Sequence, residues 1–425
     1  MKAPKFCVTL NMVLRYLMLL LAPVVATRTA QAQTYTVLHT FHGKNGAGPS
    51  GPLMRDKSGN LYGTTEGGGL GKCKSGFDNW CGVAYKLDKT GKQVWLHSFR
   101  GSNGNAPQDG VILGPGGNLY GTTYLGGDTD CYKFGCGTVF KLNPEGKEKR
   151  LYQFTGTPDG WFTSGPVARD SAGNLYGTTQ EGGAFGGGSV YKLDRSGTET
   201  VLYSFTCYQD GCNPNSGVTL DAVGNMYGVT SGGGSGQFGG GYGVVYKLDP
   251  AGNFSLVHTF DGADGANPIA TLVLDAQGSL YGTTLAGGNS DVCNGGCGTV
   301  FKISPDGQGH WTEAVVYSFC SQPSCKDGMA PYAGVVRDND GNLYGTTAFG
   351  GQWPCAGVGC GVVFKVDPSG NETLLYQFRG GKDGFQPDGP LLRAFNGVIY
   401  GVATGGGDKT CYPSEGCGVV FRITP

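Results

Sequence analysis

One seven-residue phrase, Gly-Asn-Leu-Tyr-Gly-Thr-Thr, constrains this chain more than any other feature. It occupies residues 59–65 and returns unchanged at 117–123, 173–179 and 341–347. Looser copies run over 224–230, 278–284 and 397–403, so the tyrosines fall at 62, 120, 176, 227, 281, 344 and 400. Seven copies therefore recur every 51 to 63 residues. A period of that length with short β-rich segments belongs to propellers and solenoids, whose single units cannot bury both faces. Glycine contributes 81 of the 425 residues. Because the glycines keep the period and punctuate apolar runs, they read as turn formers and not as low complexity.

Each repeat holds four strand-like segments. In the first they are A (residues 36–41), B (51–56), C (61–65) and D (82–88), rich in Val, Leu, Tyr and Thr and bounded by Gly and Pro. B joins C through Asp56-Lys57-Ser58-Gly59-Asn60, and D joins the next A through Asp88-Lys89-Thr90-Gly91. Asp at the start and Gly at the left-handed position make these tight hairpin turns. The C–D and A–B connections are long and glycine-rich.

These units predict an all-β fold, a seven-bladed β-propeller of four-stranded antiparallel blades. With B innermost, each blade reads B-C-D-A outward. The last repeat stops at its D segment, 418–424, and the one A segment left over is 36–41. That N-terminal strand is expected to close the seventh blade and remove an exposed edge. Antiparallel order puts the tight turns on one face of the disc and the long connections on the other.

Lys2, Lys5 and Arg15, an apolar run over 17–26 and Ala30-Gln31-Ala32 read as a secretory signal peptide over 1–32, leaving 33–425 as one propeller domain. No second hydrophobic stretch or C-terminal anchor follows, so no transmembrane segment is expected after cleavage and the chain reads as secreted or periplasmic. The fourteen remaining cysteines form near-neighbour pairs: Cys73 and Cys81, Cys131 and Cys136, Cys207 and Cys212, Cys293 and Cys297, Cys320 and Cys325, Cys355 and Cys360, Cys411 and Cys417. Even, local pairing in an exported chain reads as a disulfide framework. Zinc would need four ligands together, whereas each pair lies in a different repeat. All seven pairs fall in or beside long connections, five in C–D and two in A–B, so one face is expected to be stapled. With 31 basic and 32 acidic residues, no nucleic-acid footprint exists.

The phrase G-N-L-Y-G-T-T, the glycine-rich gap, G-x-V-[YF]-K-[LV]-D and L-x-x-F-x-G resemble the GloVer tandem repeat of choice-of-anchor exported bacterial proteins. The resemblance covers essentially all of 33–425. It implies an exported bacterial repeat protein, and it brings no catalytic residues with it.

Chemistry is sparse. His39, His97 and His258 occupy the slot that Tyr203, Tyr317 and Tyr376 fill in other A segments, a structural position. No nucleophile elbow or dinucleotide context occurs. Residues 304–311 approach a sialidase-type box but read as a longer hairpin turn. The Asp or Asn at 45, 103, 159, 210, 264, 327 and 383 opens each A–B turn. Too few oxygens are local for calcium, so turn capping explains it, and no metal or cofactor is assigned. Arg55, Arg169, Arg337 and Arg393 share one B position and are candidates to ring a central channel, or to pair with neighbouring aspartates. Trp80, Tyr132, Trp161, Phe162, Trp353 and Tyr412 lie in long connections and are the candidate ligand contacts. The first functional reading is a monomeric, non-catalytic binding or scaffold module, with a glycan or protein as its ligand on the stapled face. The alternative is an extracytoplasmic carbohydrate-active lyase or hydrolase using loop carboxylates such as Glu66, Glu181 or Glu415.

Overall fold

A computed structural model describes residues 33–71, 73, 81–127, 131, 134–355, 357–411 and 415–425. The segment read as a signal peptide, 1–32, lies outside the described residues. The rest forms seven four-stranded antiparallel sheets arranged as a β-propeller. The first complete blade pairs Met54–Arg55, Leu61–Thr65, Val83–Leu87 and Gln93–Ser98 in that order. The last blade is built as the repeat arithmetic requires. Thr34–Thr40 pairs antiparallel with the C-terminal strand Val419–Thr424, which pairs with Ile399–Ala403 and then Leu392–Arg393. The two ends of the chain thus share one sheet, and Val419–Thr424 is paired on both sides.

The repeated letters are contacts between neighbouring strands and blades. A phenylalanine closes every A segment and meets, edge to face, the D-strand aromatic of the following blade. The seven pairs are Phe41–Tyr85, Phe99–Phe140, Phe154–Tyr191, Phe205–Tyr246, Phe260–Phe301, Phe319–Phe364 and Phe378–Phe421, with ring centroids 5.0 to 5.4 Å apart. Such pairs contribute about 0.5–1.5 kcal/mol each beyond the area they bury. The hydrophobic interior is divided accordingly into clusters between neighbouring blades, one of them joining Tyr62, Ala84 and Phe99 to Val111, Leu119, Phe140 and Leu142.

The second glycine of the phrase exists because that aromatic ring lies on it. A Cβ on Gly63 would come within 2.5 Å of Tyr85 Oη, and one on Gly345 within 2.5 Å of Phe364 Cζ. The first threonine then reaches the next blade. Thr64 accepts from Gly110 N at 3.0 Å, Thr178 donates to Ser216 O at 2.7 Å, and Thr283 donates to Ala333 O at 3.0 Å.

The Asx ring caps its own turns as expected. Asn45 accepts from His42 N, Asn103 from Arg100 N and Asp383 from Arg379 N. The same carboxylates accept from the A-strand tyrosines, Tyr152 on Asp159, Tyr317 on Asp327 and Tyr376 on Asp383, each at 2.8 Å. His258 Nε2 lies 2.7 Å from Asp264 in the same arrangement. The slot that alternates between Tyr and His therefore holds the turn leading to the next blade.

Candidate functional site

All seven disulfides form, and all lie on the face made by the long connections. Each closes a loop of four to eight residues, so their main effect is on loop shape. Among the described residues no helix is long and apolar enough to cross a membrane.

A cavity of 440 Å3 opens on this face at the disc axis. Its placement follows from the chain path. The lining residues precede the inner B strands or lie in their first half, or fall at or just after the end of the C strands, and both positions lie at the stapled end. Each blade contributes the residue at one equivalent site: Ser50, Gln108, Ser164, Asn215, Ile269, Tyr332 and Asp388. In six of the seven that residue follows the proline of the A–B turn. Glu66, Asp109, Gln180, Ser216 and Thr271 complete the polar side chains of the lining.

The acids of this wall are held away from bulk water. Burial pushes Asp109 up to about 7, against the opposing pull of hydrogen bonds from Gly165 N and Thr122. Burial also pushes Asp388 up to about 7, with the Glu66 carboxylate adding to the rise. Glu66 is raised by burial and then by Glu415. Thr404 Oγ1 lies 3.3 Å from Asp388 Oδ2, while Asp388 Oδ1 is withdrawn from solvent with no hydrogen-bond partner among the described residues. Tyr332 lies on the same wall, 40% exposed, its hydroxyl raised by burial and by Asp388.

Of the aromatic candidates, Trp80, Tyr132 and Tyr412 lie outside the described residues. Trp161 begins an inner strand, Trp161–Arg169, and its Nε1 donates to Glu181 Oε2 at 2.9 Å. Phe162 stacks on Tyr124 at 4.7 Å, and the Tyr124 hydroxyl donates to Gln180 Oε1 at 3.0 Å. These residues therefore buttress Gln180 in the cavity wall. Trp353 is elsewhere, 44% exposed under the Arg379 guanidinium at 5.6 Å, in a groove with Val292, Met329 and Val358.

The four arginines lie on the inner strands toward the tight-turn face, each over the phrase tyrosine of the preceding blade. Arg55 covers Tyr400, Arg169 covers Tyr120, Arg337 covers Tyr281 and Arg393 covers Tyr344, at 5.2 to 6.0 Å. Arg393 also lies 3.6 Å from Asp338. None of the four lines the axial cavity. Of the loop carboxylates, Glu66 is in the wall, Glu415 is near enough to raise it, and Glu181 is engaged by Trp161.

Reading the repeat for what is constant passed over the cavity residues. The signal available was the reverse: the residue after the turn proline changes at almost every copy, through Ser, Gln, Asn, Ile, Tyr and Asp, inside an otherwise repetitive frame.

A family model described as the Gloeobacter/Verrucomicrobia repeat matches residues 70–292 and 234–413. The chain belongs to that family. For this Gloeobacter/Verrucomicrobia repeat protein, comparison with curated proteins finds no match. Solved structures with a similar chain path include a gluconolactonase from Xanthomonas campestris, 13% identical, covering 89% of this chain and 97% of its own, with a TM-score of 0.43. A luciferin-regenerating enzyme is 12% identical, covering 92% and 95%, with a TM-score of 0.44. A putative gluconolactonase is 13% identical, covering 67% and 80%, with a TM-score of 0.39. Likeness at this level carries no functional argument for the repeat protein.

Proposed function

We propose that this protein is an extracytoplasmic binding module that takes a hydroxylated ligand, such as the end of a glycan, into the axial cavity of its stapled face. The observation that carries this reading is the seven-membered wall. The frame is held constant by repeated contacts, while one equivalent position from each blade faces the cavity and its residue varies from copy to copy, Ser50 and Ser164 alone sharing a type. The volume, 440 Å3, falls within the range of small-molecule sites. Side-chain amides of Gln108, Gln180 and Asn215, three carboxyls and the Tyr332 ring suit hydroxyl groups and a sugar face. Seven disulfides fit an oxidising compartment, which supports residence in the periplasm or release from the cell.

A second reading has its own observation. Asp388, neighbouring Glu66, carries a carboxyl raised to about 7, a value suited to general acid–base work on a glycosidic bond. A glycan array with the purified full chain separates the two. Retained ligand without product supports binding. New reducing or unsaturated ends replace the binding reading with the catalytic one, and no retention on any glycan removes both.

A further inference from the structure

We infer that the axial cavity selects a ligand carrying an ammonium group beside its hydroxyls, of which an amino sugar is the simplest form. This rests on the reading of the cavity as a binding site and names the charge of what it holds. Three carboxyls, Glu66, Asp109 and Asp388, are part of the lining, and no Lys, Arg or His is among the described lining residues. Burial raises all three, so in the free wall they tend to keep their protons. A neutral ligand leaves them so, an ammonium gives them a positive charge against which to ionise, and an anion would oppose that ionisation.

Asp388 is the sharpest evidence. Its Oδ1 is buried with no hydrogen-bond partner among the described residues, an acceptor that bears a desolvation cost there. Its neighbours on the wall are an acid, Glu66, and an aromatic ring, Tyr332. A carboxylate together with a π-face is the pairing that recognises an organic ammonium.

A bare metal ion fits less well. Among the described residues, the groups of three whose ligand atoms converge within 4.8 Å are Cys293–Cys297–Cys320 and His258–Asp264–Glu313, and neither is at the cavity. Glu66, Asp109 and Asp388 do not form such a group, which suits an organic ligand better than an ion that must touch several oxygens at once.

Calorimetric titration of the full chain at neutral pH tests this with four probes: the disaccharide of glucosamine, its N-acetylated form, cellobiose and calcium chloride. The expected result is about tenfold tighter binding of the amino disaccharide than of the two neutral sugars, the size of one charge-assisted contact. Asp388→Asn, shown to be folded by its thermal melt, is expected to abolish the preference and keep the weaker neutral binding. Added salt should weaken the amino sugar alone in the unsubstituted chain, a readout that needs no variant. Equal binding of all three sugars overturns the charge selection and leaves the binding site standing. Binding of none of them overturns both. Calcium binding that excludes the amino sugar overturns the inference in favour of a metal.

Discussion

Tyr281 and Tyr344 show how one residue serves two directions at once, each donating to its own hairpin aspartate at 3.0 Å and lying under an arginine of the next blade. The Tyr62 hydroxyl donates to Asp56 at 3.0 Å and so fixes the B–C hairpin, and Tyr400, Tyr120, Tyr281 and Tyr344 present their rings to an arginine of the next blade. The neighbouring glycine is just as constrained. Gly63→Ala is expected to destabilise the fold by about 1–3 kcal/mol, because the new methyl must displace a fully buried Tyr85 ring. Urea unfolding measures it, and an unchanged midpoint would contradict the close approach. Tyr152→Phe should cost about 1 kcal/mol by removing the bond to Asp159 while keeping the ring against Phe154. No loss for Tyr152→Phe beside a large one for Tyr152→Ala would mean the ring, and not the hydroxyl, holds the turn.

At the scale of elements, the strand that matters most is Thr34–Thr40, which supplies the outer edge of the last blade from the far end of the chain. Deleting residues 33–41 removes Phe41 from its place against Tyr85 and leaves Val419–Thr424 with an unpaired edge. The expected outcome is a lower melting temperature together with self-association, read by light scattering. A monomer of unchanged stability would show that the seam contributes nothing. The disulfides should behave differently. Replacing Cys355 and Cys360 by Ser opens a loop of five residues, for which chain entropy gives about 2 kcal/mol at most. Faster proteolysis of that loop is expected, with the rest of the propeller still folding cooperatively.

Across the whole molecule, the buried carboxyls set the response to pH. Asp109 and Asp388 at the axis, with Glu199, Glu313 and Glu372 between outer strands, are all raised to about 7 by burial. The folded state therefore holds protons that the unfolded chain releases near 3.8 to 4.5, and stability falls as pH rises from there through about 7. The turn aspartates Asp56, Asp170, Asp221 and Asp338 act oppositely. Hydrogen bonds from their own turns outweigh desolvation and hold them below 3.8, so their contribution is lost as pH falls through those depressed values. Thermal melts should show greatest stability near about pH 4, declining on both sides. A maximum at pH 8 would show that the axial and outer carboxyls are ionised in the folded protein.

The blade count, the seam and the segregation of bridged loops to one face were legible in the chain. Each follows from local, repeated chemistry: a seven-residue phrase, Asp…Gly turns and nearby cysteine pairs. Phe41 and Tyr85 could be listed as repeat letters, but their contact could not, because it joins different blades. The axial cavity was hidden for the same reason. Ser50, Gln108, Ser164, Asn215, Ile269, Tyr332 and Asp388 are strangers in sequence and become neighbours only when the ring closes. Repetition dictates the unit from within its own strands, whereas what lies on the symmetry axis is a property of all seven units together.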